Sequence, residues 1–185
     1  MRRRHRVLWG FSLGVVVTPE GDRLAENTIA TIQQVEVFLN NAKEAGRPYT
    51  AILFTGGIFE KDKGQTTAVS ELMRDAIGPK DIPVYIGTNS AITRQDITDG
   101  IEVLAEYGIT LENADIDVVS EFWHTLGIAM LFLRRFGYRV GRVSSGYKIS
   151  FKEIAGRIAR LAYYAYDPEG KGDQATAVAT RRCGR

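Results

Sequence analysis

Short apolar runs alternate along this chain with longer stretches in which apolar residues recur every three or four positions. Four runs stand out: 7–17 (VLWGFSLGVVV), 51–57 (AILFTGG), 82–86 and 116–119, each ending in polar or glycine residues. Runs of that length and composition, cut off so abruptly, read as buried parallel strands. Between them, Ile29, Ile32, Val35, Phe38, Leu39 and Ala42 keep helical spacing until the GRP of 46–48 halts the pattern. Val69, Leu72, Met73, Ala76 and Ile77 form a second stripe, closed by Gly78 and Pro79. A third stripe carries Ile97, Ile101, Leu104 and Ala105, with Thr88, Asn89 or Ser90 available to cap its helix. Residues 123–136 are apolar on nearly every side, which predicts a helix buried between the sheet and a partner surface. A fifth strand is expected over 138–143, and a last helix over 151–166 with Ile154, Ile158, Leu161 and Ala162 turned inward.

This alternation predicts an α/β, three-layer Rossmann-like domain over 7–166, a mainly parallel sheet of about five strands with helices on both faces. A basic tail, 1–6, precedes it, and a Gly-, Ala-, Thr- and Arg-rich tail, 167–185, follows and reads as disordered. The length of 185 residues fits one domain with a substantial core. The formal charge of +2 hides an asymmetry, because Arg2, Arg3, Arg4, Arg6, Arg181, Arg182 and Arg185 lie in the tails. Without these seven, 17 basic residues face 22 acidic ones, which argues against a nucleic-acid-binding face. Cys183 is the single cysteine, so no intrachain disulfide forms. The opening MRRRHR and the apolar run after it superficially resemble a signal peptide. Gly10 and Gly14 interrupt that run, no cleavage pattern follows it, and it is too short to span a bilayer. No integral membrane span and a cytoplasmic location are therefore expected.

Right-handed crossovers bring the strand–helix loops to one rim of such a sheet. The rim residues are Leu13 and Gly14; Thr55, Gly56 and Gly57; Ser90, Thr93 and Asp96; and Ser120, Glu121 and His124. Glycines after a strand let a ligand approach the backbone, and helix N-termini offer N–H groups to an anion. Each residue also has a plainer reading. A diglycine can be a simple turn, Ser90 an N-cap with Asp96 near the helix dipole, and His124 a core histidine stacked beside Trp123. In the functional reading, Asp96 holds a ribose hydroxyl, orients a water or acts as a base, and His124 donates to a phosphate or moves protons. Two histidines and one distant cysteine do not make a zinc site, and no metal is expected.

In this order, the four loops resemble the YdcF/SanA/ElyC-like family of bacterial proteins, over roughly residues 13–153. Leu13 and Gly14 match its LG, and Gly21 a later turn glycine. Thr55, Gly56 and Gly57 match its SGG, Ser90 and Thr93 its Ser-x-x-Thr, and Val119, Ser120, Trp123 and His124 its strand end with an aromatic–His pair. Lys152 and Glu153 echo the start of its last helix. The chain departs from the pattern at Gln95 and Asp96, which replace Glu and Asn. The arginines expected on the first helix and after the histidine, where Leu126 and Gly127 stand, have no counterpart, and Glu71 is out of register with the family's acidic residue. The resemblance implies a Rossmann-like domain with a polar pocket at the strand ends. Some relatives are tied to cell-envelope integrity and one to S-adenosylmethionine; no reaction is settled for the group.

The expectation is thus a small-molecule-binding protein whose ligand is a nucleotide or nucleotide-like metabolite, S-adenosylmethionine among them, with hydrolysis or transfer at a phosphate as its chemistry. In it the Gly56 and Gly57 amides and the Ser90 and Thr93 hydroxyls cradle the anion, with Gly14, Thr55 and Ser120 beside them. Asp96 and His124 form the catalytic pair. The alternative is a non-catalytic sensor or adaptor, or an envelope-related factor, whose apolar face at 123–136 pairs with a partner or a second copy.

Overall fold

The computed structural model describes residues 4–58, 60, 63–90 and 92–170. Within them, β1 (His5–Phe11), β4 (Ala51–Thr55), β5 (Val84–Gly87), β6 (Ala114–Ser120) and β7 (Gly141–Ser144) form one sheet in the order β5-β4-β1-β6-β7. Every pairing in it is parallel, with Phe11 opposite Thr55, Gly10 opposite Val119 and Ser120 opposite Ser144. The helices are α1 (Glu26–Glu44), α2 (Val69–Ile77), α3 (Thr93–Glu106), α4 (Phe122–Phe136) and α5 (Phe151–Tyr166). This is the three-layer Rossmann-like α/β fold that the apolar periodicity predicts.

Alternation along the strands divides the core in two. Val7, Trp9, Phe11 and Leu53 point to a layer built from α3, α4 and the end of α5, through Ile97, Leu104, Ile128, Leu131, Phe132 and Tyr164. Leu8, Ile52 and Phe54 point the other way, to Ile32 and Val35 of α1 and Val69, Met73 and Ile77 of α2. Burying each such large side chain contributes roughly 2–3 kcal/mol. Between helix and sheet the fit is closest at Gly100, where a Cβ would lie 2.0 Å from the Trp9 ring, so α3 seats on β1 only through a glycine.

Four details differ from the sequence reading. The run 7–17 is two strands rather than one. The chain leaves the sheet at Ser12, and Leu13 N donates to Thr28 Oγ1 at 3.1 Å. It then passes through Gly14 at φ +155° and continues as β2 (Val15–Thr18), which forms an antiparallel hairpin with β3 (Gly21–Leu24) around Pro19 and Glu20. Asp22 fastens this hairpin to the rim by accepting from the amides of Thr66 and Thr67, both at 2.8 Å. Those amides, that of Thr67 most, hold its carboxyl below the usual range.

On α5, Ile158 is half exposed and Tyr164 is buried instead, because the face packed on α4 runs through Leu161 and Tyr164, which border Gly127. On α4, Phe122, Leu133 and Phe136 remain substantially exposed, and on α1 Ile29 faces outward. The segment after α5 does not leave the domain at once. The Asp167 and Pro168 carbonyls accept from Arg94, whose guanidinium lies 5.0 Å from the Tyr163 and Tyr164 rings. The rest of the expected tail, 171–185, and residues 1–3 of the basic one lie outside the described residues.

Candidate functional site

The strand order defines where a ligand fits. From β1 the chain moves through α1 to β4 and β5 on one side, then crosses by α3 to β6 and β7 on the other, so the loops after β1 and β6 diverge. A crevice at this switch point is where open α/β sheets bind their ligands. Phe11 and Ser12 lie at its centre, with Thr55, Gly56 and Gly57 on one flank and Ser120 and Glu121 on the other.

His124, in the first turn of α4, is 5% exposed and bridges two hydroxyls. Its Nδ1 is 2.9 Å from Ser120 Oγ and its Nε2 3.1 Å from Thr93 Oγ1. Ser120 Oγ also lies 3.5 Å from the Phe11 carbonyl, to which it can only donate. This network assigns the tautomer: Nδ1–H donates to Ser120, and Nε2 accepts the Thr93 hydroxyl proton. Burial, reinforced by the positive charges of Arg157 and Arg160, pulls the imidazole pKa down to about 3. His124 is therefore neutral at physiological pH, and its two ring nitrogens orient the Ser120 and Thr93 hydroxyls. It meets Phe11 edge-on at 6.1 Å, while Trp123 pairs with Phe122, so the Trp–His stack of the plainer reading does not form.

Asp96 lies one turn into α3 and is 3% exposed. It accepts the Ser90 hydroxyl, and burial, opposed by that bond and assisted by the negative charge of Asp99, pushes its pKa up to about 7. Ser90 therefore does not cap α3. The N-cap is Ile92, with no side-chain cap, and Asn89 is held by Asp99 through its amide at 3.1 Å and its Nδ2 at 3.5 Å. Asp99 escapes sequence reading because it lies a turn beyond the cap region. Its signal is Gly87, where a Cβ would meet Asp99 Oδ2 at 2.5 Å.

The diglycine has a different job from an anion cradle. Gly56 N donates to the Gly87 carbonyl at 3.1 Å and Gly57 N to the Ser90 carbonyl at 2.9 Å, so both amides are spent inside the fold. Their carbonyls accept from Ser70 and Val69 at the start of α2. A Cβ on Gly57 would stand 2.2 Å from the Ser90 carbonyl oxygen, and close backbone approach is what the glycine permits. Thr55 Oγ1 accepts from Trp9 Nε1 at 2.9 Å. Gly14 sits at the hairpin base, where its carbonyl accepts from Ala25 N and Thr28 Oγ1. Gly57, Ser90 and Asp96 thus form one bonded set and Thr93, His124 and Ser120 a second, both meeting the first turn of α3, and Gly14 stands outside them.

Glu121 and Arg157 belong to this cluster, although the sequence reading left them without a role. Glu121, 1% exposed, caps α4 by accepting from Trp123 N at 2.6 Å and His124 N at 3.2 Å, and Arg157 of α5 comes within 3.5 Å of it. A carboxylate of the chain itself therefore occupies this helix N-terminus. A guanidinium reaches it from α5, although Leu126 and Gly127 stand where one was expected after the histidine. The signal for Glu121 was an acidic residue directly before an apolar helix, and for Arg157 its place on the stripe shared with Leu161 and Tyr164. Glu121→Ala removes the cap and strands Arg157; it should cost about 2 kcal/mol in urea unfolding. A loss under 0.5 kcal/mol would mean that the cap contributes little.

Beside this cluster a cleft of about 410 Å³ runs along the outer side of α3, lined by Asn89, Arg94, Thr98, Asp99, Arg135 and Glu169 among others. None of the rim residues singled out from the sequence lines it, and its two arginines are engaged: Arg94 with the 167–168 carbonyls, and Arg135 with the Arg94 carbonyl, Thr98 and Glu169. Among the described residues no group of His, Cys, Asp and Glu is arranged to hold a metal ion. No described helix is long and apolar enough to cross a membrane.

Fold and rim together define a Rossmann-like α/β protein with a polar cluster at its topological switch point. Compared with protein-family models, with curated proteins and with solved structures, the chain finds no match.

Proposed function

We propose that this protein binds a nucleotide or nucleotide-like metabolite, S-adenosylmethionine among the candidates, at the crevice between the ends of β1 and β6, and that it is a divergent relative of the YdcF/SanA/ElyC-like proteins. The observation that carries the reading is the hydroxyl–imidazole–hydroxyl succession of Ser120, His124 and Thr93 at that switch point, next to the Ser90–Asp96 pair. A buried polar array of this kind presents directional donors and acceptors to sugar hydroxyls and a base. Recognition comes first in this reading. A neutral imidazole positions groups and Asp96, with its pKa near 7, is the one member suited to take a proton from a sugar hydroxyl or a water.

The second reading, a non-catalytic sensor, is favoured by the engagement of both ring nitrogens of His124 in the fold. One experiment addresses both. Thermal unfolding with a panel of nucleotides, adenosine and S-adenosylmethionine should reveal a ligand that, at 100 times its dissociation constant, stabilises the chain by about 2.7 kcal/mol. His124→Gln should abolish the shift. A panel without a single shift in the wild type would overturn the nucleotide reading. Ligand stabilisation without turnover would select the sensor.

A further inference from the structure

Three buried hydroxyl oxygens in the described residues have no hydrogen-bond partner, those of Ser12, Ser70 and Ser145. All three lie on one face of the sheet at its carboxyl rim. A Cβ on Gly10 would point at Phe54 and at Val35 of α1, so Ser12, two residues further and 5% exposed, turns to the same α1–α2 layer. Ser70 is fully buried on the inward face of α2. The Ser12 amide donates to the Thr55 carbonyl at 3.3 Å and the Ser70 amide to the Gly56 carbonyl at 2.9 Å, so the two serines bracket one dipeptide. Ser145 follows Val143, which packs in the same layer, but β6 separates it from Ser12, and its amide donates to the Ser120 carbonyl at 2.8 Å.

Helix α1 begins at this place. Leu13 N and Gly14 O both bond Thr28 Oγ1, and Gly14 O also accepts from Ala25 N at 3.4 Å, which clamps the loop after Ser12 onto the first turn. The N-cap, Ala25, supplies no side-chain cap, whereas α4 is capped by Glu121 and α5 by Ser150. The nearby carboxylates do not fill the position: Asp22 is taken by Thr66 and Thr67, Glu121 by α4 and Arg157, and Glu26 is exposed. Burying a hydroxyl without a partner destabilises a fold, and those of Ser12 and Ser70 have no use in the packing. Hydroxyls beside an uncapped helix start are the donors an oxyanion needs.

We propose that Ser12 and Ser70, together with the start of α1, form an oxyanion subsite that holds the phosphate of the ligand through hydroxyl and amide dipoles. The proposal rests on the reading above that the crevice takes a phosphate-bearing metabolite. It assigns the anion to the sheet face opposite His124, so that a nucleotide straddles the ends of β1 and β6.

The test is thermal unfolding of the full chain with inorganic phosphate, adenosine monophosphate or adenosine, for the wild type and for Ser12→Ala and Ser70→Ala. Without ligand, each alanine variant should unfold at the wild-type temperature or about 2–4 °C higher, because an unpaired buried hydroxyl has been removed. With adenosine monophosphate, the apparent dissociation constant should rise at least tenfold, while the response to adenosine stays as in the wild type. If inorganic phosphate alone stabilises the wild type and fails on Ser12→Ala, the subsite binds free phosphate as well. If only the nucleotide does so, it reads phosphate as part of a larger ligand; either result supports the subsite. Alanine variants that unfold at clearly lower temperature without ligand, or that keep the nucleotide response in full, would overturn it. Stabilisation by adenosine with no added effect of phosphate would remove the subsite and leave the nucleotide reading standing. Silence from every probe would remove both.

Discussion

Asp96→Asn should lose roughly 3 kcal/mol of stability between pH 6.5 and pH 4, over a range where the wild type stays nearly level. Two buried groups with opposite linkages produce this result. The folded state keeps Asp96 protonated up to about pH 7, whereas the unfolded chain ionises it at 3.8, so stability from the neutral acid is full below pH 3.8 and is lost as pH rises to 7. The folded state keeps His124 neutral down to about pH 3, whereas the unfolded chain protonates it at 6.5, so stability from the neutral ring is full above 6.5 and is lost on acidification. Between 3.8 and 6.5 each state holds one proton at this pair of sites, and the two dependences offset. Removing Asp96 exposes the histidine slope.

His124→Gln exposes the other slope, a gain on the order of 4 kcal/mol as pH falls from 7 to 4. Urea unfolding followed by tryptophan fluorescence over pH 4–8 measures both. Each variant is read as a difference from the wild type, so the other carboxylates held low, Asp22 and Glu153, cancel. Three parallel profiles would show that neither group is buried in the protonation state described here.

Gly57→Ala should destabilise the protein by more than about 3 kcal/mol. The added methyl would meet backbone oxygens of Ser90 and Thr88, at 2.2 and 2.5 Å, which cannot rotate aside as a side chain can. Relief requires parting the β4–α2 turn from the β5–α3 loop, which breaks the Gly57–Ser90 hydrogen bond and unseats the partner of Asp96. Ligand stabilisation should disappear with it. Gly46→Ala is the control: Gly46 has φ +68° with nothing within 4 Å of a Cβ, so only backbone strain of about 1 kcal/mol is expected. Equal melting temperatures for the two variants would mean that Gly57 is a plain turn glycine.

Much of the fold was legible in the chain. The stripes of α2, α3 and α4 and the runs of β4 and β6 lie within a few residues of their observed limits, and α5 begins and ends as expected. The first apolar run misled because β1 and β2 are both largely apolar and separated only by Ser12, Leu13 and Gly14, so hydrophobicity stays high while the chain leaves one sheet for a hairpin. Ile158 misled because α5 packs on α4 through a stripe that admits an arginine, and an apolar count ignores the stem of Arg157. The site was legible as a set of loops. Ser90, Thr93, Asp96, Ser120 and His124 do meet, but their expected roles did not all survive the meeting, and the glycine amides serve the fold.

The amino-acid sequence alone determined the order of strands and helices, and with it the rim to which the polar loops come, because apolar periodicity is a local property that each element carries in its own residues. The tertiary structure decided which donors are spent, which face each serine takes, and that Asp96 holds a proton where His124 refuses one. Hydrogen bonds such as that between Thr93 and His124, 31 positions apart, and the desolvation that shifts a pKa exist only once distant segments have closed around them and excluded water.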